Sequence, residues 1–198
     1  MNIYIIRHGE THSNKQGHYY GNLDIPLNKK GIGQMEKLKP CLSQIDFNCV
    51  YSSNSLRALE SLKICGDDLY AKVQIDPRLS ELNFGDFEGK TYEEIAQLYP
   101  KQVVLWAKDW KSFCPPNGES FVYFYNKVIV FFQELLELKH ENILIMAHSG
   151  VIKAIYCYVL QNNIDLYWNF TCHNGKINII KYEYENLFID GMNKGELL

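Results

Sequence analysis

Ile3-Tyr4-Ile5-Ile6-Arg7-His8-Gly9-Glu10 is an apolar run that breaks off into a cation, an imidazole and a glycine. The apolar part reads as a short buried strand. Its polar continuation is unusual company for a strand end. An arginine fork suits phosphate oxygens, and a glycine lets the backbone approach closely. A neutral imidazole is a competent nucleophile near pH 7. The tetrapeptide therefore suggests a histidine aimed at a phosphate, and the rest of the chain has to supply its partners.

Working outward, residues 48–52, 73–75, 142–147 and 177–182 also read as strands, the last of them at a sheet edge. Helical spacing predicts helices over 29–45, 56–69, 91–98, 103–110, 119–139 and 150–160, with Ser53-Asn54-Ser55 as a cap for the second. Residues 9–28 read as a loop. Strands alternating with helices predict an α/β fold, a three-layer α/β/α sandwich with a mainly parallel central sheet. One domain over 1–198 is expected, with a short cap insertion at about 75–118 covering one end of the sheet.

Composition narrows the field. With 198 residues, 46% of them hydrophobic, the chain can bury a sizeable core. A net charge of −3 offers no broad attraction to nucleic acid or to an anionic membrane, so neither is expected as a partner. The cysteines at 41, 49, 65, 114, 157 and 172 lack metal-binding or paired spacing. Reduced, mostly buried thiols in a cytoplasmic protein are expected. Met1 leads straight into the first strand, so no leader is expected. No apolar run reaches the roughly 18 residues of a membrane span.

In open α/β sheets ligands bind beyond the carboxyl ends of the strands. Those positions hold Arg7 and His8, then Ser52, Ser53 and Arg57, then His148, Ser149 and Gly150. Four groups able to carry positive charge thus converge from distant parts of the chain. An arginine in the first turn of a helix opposes the dipole unless an anion sits there too. Phosphoryl transfer to His8 also needs a proton donor for the departing oxygen. Glu81, in Arg78-Leu79-Ser80-Glu81-Leu82-Asn83-Phe84-Gly85, is the candidate, since a carboxyl beside a phosphate dianion favours its protonated form. Asp86, Glu88, Glu93 and Glu94 are nearby alternatives, with Glu93 and Glu94 most simply solvated and Glu88 suited instead to fastening the loop.

The ordered set Arg7-His8-Gly9-Glu10-Thr11 with Asn14, Gly21, Asp24, Pro26-Leu27, Gly31 and Gln34 resembles the histidine phosphatase superfamily. Ser52-Ser53, Arg57-Ala58, Glu81 through Gly89 and His148-Ser149-Gly150-Val151 continue that match. One departure is Asn54-Ser55, where a Pro-Leu pair is common. The resemblance implies a phosphoglycerate-mutase-like fold, with His8 as the phosphorylated nucleophile and Glu81 as the proton donor. It implies Arg7, Arg57 and His148 as phosphate ligands, with Asn14 and the Ser149 backbone touching the phosphoryl group. Gly21, Tyr20 and Phe84 are expected beside the substrate. No metal and no other cofactor is implied.

Finer motifs resemble the α-ribazole phosphatases, which remove the 5′-phosphate from α-ribazole 5′-phosphate in cobalamin lower-ligand assembly. They are Phe84 through Ile95, Tyr99-Pro100, Pro115 through Ser120, and Asn174-Gly175-Lys176-Ile177-Asn178. A short covering segment favours hydrolysis over mutase chemistry, because water reaches the phosphohistidine. The expected activity is therefore a phosphomonoester hydrolase acting through phospho-His8 on a small molecule, as a monomer or homodimer. The alternatives are a phosphoglycerate mutase or a broad sugar or nucleotide phosphatase of the same superfamily and, more remotely, a non-catalytic phospho-ligand module. Tyr19, Tyr20, Phe84, Trp106, Trp110, Phe113 and Tyr123 are candidates to stack on a base, with Tyr19, Tyr20 and Phe84 nearest the motif loops.

Overall fold

The computed structural model describes residues 1–195. Six strands form one sheet: β1 (Asn2–Arg7), β2 (Cys49–Ser52), β3 (Val73–Ile75), β4 (Asn142–Ala147), β5 (Ile177–Glu183) and β6 (Asn186–Lys194). Their order is β3-β2-β4-β1-β5-β6. The first four pair in parallel, and β5 pairs antiparallel with both β1 and β6. The sheet is thus mostly parallel, as expected.

The helices are α1 (His12–Gln16), α2 (Lys29–Leu42), α3 (Leu56–Cys65), α4 (Asp67–Ala71), α5 (Tyr92–Leu98), α6 (Pro100–Lys108), α7 (Phe121–Leu136) and α8 (Ser149–Val159). Three-residue-per-turn segments cover Pro77–Leu79, Gly85–Phe87 and Ile164–Asn169. Successive residues of β4 point to opposite faces. Ile143, Ile145 and Ala147 join α7 and α8 in one core, while Leu144 and Met146 join α2 and α3 in the other. That division makes the three layers. Among the described residues no helix is long and apolar enough to cross a membrane.

Several expectations need correction. Residues 177–182 are not at the edge, because β6 pairs outside β5. β6 is half exposed, and Asp190 and Gly191 cut short its apolar run Leu187-Phe188-Ile189, so it lacked the sustained apolar signal of a strand. The predicted helix over 56–69 breaks at Gly66 into α3 and α4. The loop after β1 contains α1, held by a reciprocal capping box between Thr11 and Asn14. Ser55 occupies the N-cap of α3 without a side-chain capping bond, because its hydroxyl faces Ser53 and His148 instead.

Candidate active site

Parallel pairing places the two histidines. β1 and β4 run in register to Arg7 opposite Ala147, so His8 and His148 leave the sheet side by side. Their ring centroids are 5.1 Å apart. Ser52 lies opposite Met146 on the other flank of β4, which brings Ser53 to the same edge.

His8 is 3% exposed, and its Nδ1 lies 2.7 Å from the Gly9 carbonyl. A carbonyl only accepts, so Nδ1 carries the hydrogen and Nε2 keeps its lone pair. Burial, then Arg7 and Arg57, push the His8 pKa well below the ordinary histidine value. His148 is fully buried, and burial with Arg57, His8 and Arg7 lowers its pKa likewise. Of the four groups able to carry charge, two guanidiniums do so and both imidazoles stay neutral. Ser53 Oγ lies 2.8 Å from His148 Nε2 and 3.0 Å from Ser55 Oγ.

Arg57 is 1% exposed. Its Nη1 donates to the Leu23 carbonyl and its Nη2 to the Gly21 carbonyl, and its guanidinium lies 4.7 Å from the Tyr20 ring centroid. Arg7 Nη1 donates to the Cys172 carbonyl. Among the described residues three buried nitrogens have no protein partner: Arg7 Nε, Arg57 Nε and His148 Nδ1. Unsatisfied buried donors are costly in a native fold. Arg7 and Arg57 line the same cleft, and their free Nε–H groups suit an oxyanion with several acceptor oxygens.

Asn14 Oδ1 accepts from the Thr11 amide at 3.1 Å and from Asn174 Nδ2 at 3.1 Å, which leaves the Asn14 amide hydrogens to face the cleft. Asn174 Nδ2 also donates to the His8 carbonyl at 3.0 Å, tying the last motif to the first. Glu81 accepts from the Gly150 amide at 3.0 Å. A Cβ on Gly150 would sit 2.1 Å from Glu81 Oε1, so only glycine admits the carboxylate here.

Arg7, His8, Asn14, Arg57, Glu81 and Ser149 line one cleft of about 250 Å³. Tyr19, Tyr20 and Phe84 also reach it. His148, expected as a phosphate ligand, is not on the lining; it is fully buried beside His8 with its Nε2 against Ser53. Gly21 is not on the lining; its carbonyl holds Arg57 and its amide donates to Glu88 Oε1 at 3.1 Å. A Cβ on Gly21 would meet the Leu82 carbonyl oxygen at 1.9 Å. Tyr20 is 7% exposed, with its hydroxyl bonded to Thr11 Oγ1 and its ring beneath Arg57. Trp106 and Phe113 stack within the covering segment, Trp110 packs on Phe121, and Tyr123 is solvent-exposed away from the cleft. Sequence reasoning missed His18, Tyr167 and Trp168, which also line it. The last two come from the three-residue-per-turn segment Ile164–Asn169, whose six residues are too few to show an apolar period. Among the described residues no group of three His, Cys, Asp or Glu stands ready to hold a metal ion.

Comparison with known proteins gives a consistent picture. The family model described as histidine phosphatase superfamily (branch 1) matches residues 3–195. The chain is 33% identical over 176 residues to the adenosylcobalamin/alpha-ribazole phosphatase of Escherichia coli strain K12, covering 88% of this chain and 87% of that one. It is 27% identical over 185 residues to phosphoserine phosphatase 1 of Hydrogenobacter thermophilus, covering 92% and 87% respectively. The crystal structure of the alpha-ribazole phosphatase from Shigella flexneri superposes with a TM-score of 0.93 at 30% identity, over 100% of this chain and 98% of that one.

Proposed function

The chain belongs to the histidine phosphatase superfamily, and from that premise we propose that this phosphatase removes the 5′-phosphate of α-ribazole 5′-phosphate through a phosphohistidine on His8. The observation that carries the mechanism is a neutral imidazole, pinned through Nδ1–H to the Gly9 carbonyl, between two guanidiniums with unpartnered buried Nε–H groups. In the first step the His8 Nε2 lone pair attacks phosphorus and the P–O bond to the ribose breaks. The leaving oxygen takes a proton from Glu81. In the second step water attacks the same phosphorus, its proton passes to the Glu81 carboxylate, and the P–N bond breaks to release phosphate. Arg7 and Arg57 hold the equatorial oxygens, whose charge matters more in the transition state than before it. The Asn14 amide and the Ser149 backbone at the start of α8 add donors.

The substrate assignment rests on the similarity to the α-ribazole phosphatases, the sequence of the covering segment and the aromatic residues beside the phosphate cleft. Phosphoserine, the substrate named for another relative, would need fixed partners for its own amino and carboxylate groups, whereas outside the phosphate-facing residues the lining is mostly aromatic, with Tyr19, Phe84, Tyr167 and Trp168 beside His18. Two measurements test the reading. Acid-labile, alkali-stable label should be trapped on wild-type protein and be absent from His8→Ala. Turnover of α-ribazole 5′-phosphate should exceed that of O-phosphoserine and 3-phosphoglycerate; equal or slower turnover removes the substrate assignment.

A further inference from the structure

Beside the phosphate cleft lies a second hollow of about 270 Å³, walled by Tyr92, Val103, Trp106, Ala107 and Trp110. It shares Tyr19 and Trp168 with the phosphate cleft, so the two form one trough. The trough is sharply divided. Arg7, Arg57 and Glu81 lie at one end, and no charged side chain lines the other among the described residues.

The boundary residue Trp168 is 59% exposed, yet it is held. Its ring stands edge-on to Trp110 at 5.5 Å and to Tyr167 at 5.0 Å between centroids. Lys153 Nζ sits 5.4 Å from the Trp168 ring centroid and 5.2 Å from that of Tyr167, bracing both rings through their faces. Opposite, Tyr19 is braced by Phe84 at 5.2 Å and by Trp106 at 5.4 Å. Aromatic surfaces fixed before a ligand arrives lose little conformational freedom on binding. Every planar base offers a π-face to such surfaces.

We propose that the hollow between Tyr19, Trp106, Ala107 and Trp168 is a base-binding subsite, which seats the planar heteroaromatic base of a nucleoside 5′-phosphate while its phosphate lies against His8. This deepens the α-ribazole phosphate reading and rests on it for the identity of the base. The subsite makes selectivity a property of α6 and the Ile164–Asn169 segment, which carry Trp106, Ala107 and Trp168.

The test pairs two substrates that differ only by the base, α-ribazole 5′-phosphate and ribose 5-phosphate. Wild type should prefer the first. Ala107→Arg, at an exposed helix position, and Trp168→Ala should each shrink that preference by about tenfold, mainly through KM, in line with the loss of one stacked base. Trp168→Phe should keep most of it. Calorimetric titration with phosphate-free α-ribazole provides a readout independent of turnover, with binding to wild type and weaker binding to Ala107→Arg. No preference in wild type, or a preference unmoved by both variants, overturns the subsite and leaves the phosphatase intact. If neither ester is hydrolysed the substrate reading fails, and the titration still decides the subsite: no nucleoside binding overturns it.

Discussion

At the residue scale the chemistry depends on keeping two imidazoles uncharged. Burial and the neighbouring guanidiniums lower the pKa of both His8 and His148 below 6.5. Unfolded histidines take up protons as the pH falls through about 6.5, and these two do not until the pH is lower. The unfolded state then binds more protons, so stability declines with acidification, by about 1.4 kcal/mol per pH unit for each histidine. Urea unfolding between pH 7 and pH 5 checks this. The wild-type slope should be steeper than that of His148→Asn by about that amount, and equal slopes would refute the linkage. Ser53 orients His148 without reaching the cleft, so it acts as a positioning residue. Ser53→Ala should lower kcat about tenfold at similar KM, the scale expected when a buried partner is left unpaired. In a His148→Gln background the same change should cost almost nothing further, and an additive loss would argue for a merely structural effect. His8, Arg7, Arg57 and His148 were legible because strand ends leave a short local signature. The Ser53 contact was not, because it joins residues 95 apart in sequence.

At the scale of elements, one carboxylate fastens the covering segment to the loop before α2. Glu88 Oε1 accepts from the amides of Gly21, Asn22 and Phe84, and Oε2 accepts from Leu23 at 2.7 Å. The carbonyls of Gly21 and Leu23 in turn hold Arg57. Glu88→Gln puts an amide NH2 against at least one backbone N–H. Stability should drop by about 2 kcal/mol, as for hydrogen bonds to a charged group. Affinity for orthophosphate should weaken several-fold with it, measured by competitive inhibition; unchanged inhibition would uncouple Glu88 from Arg57. The long, strongly periodic elements were readable from the chain alone: β4 and the body of α7 fall where apolar spacing put them. The shorter ones were not. α1 is five residues long and is specified by its caps, and the segment carrying Trp168 has no period to detect.

For the molecule as a whole, two cores on opposite faces of one sheet shield half of the thiols. All six cysteines are free, Cys65, Cys157 and Cys172 are buried, and Cys114 is exposed. Burial pushes the Cys65 thiol up to about 12 and those of Cys157 and Cys172 up to about 11. A thiol reagent at pH 8 should therefore modify Cys114 first in the native protein, and all six only after denaturation. Fast reaction at the three buried sites would contradict the packing. The layered α/β class was legible from alternating apolar segments, whereas the outermost strand was hidden by its broken apolar run and half-exposed residues. The order of the sheet has a further effect, on the protein's birth. β1 lies between β4 and β5, so the segment bearing His8 has no sheet neighbour until β4 has been translated. An emerging polypeptide must keep that greasy, unpaired ribbon sheltered until then. The proposed anion grip forms only once β4 has joined β1, which makes ligand capture a report on that late pairing.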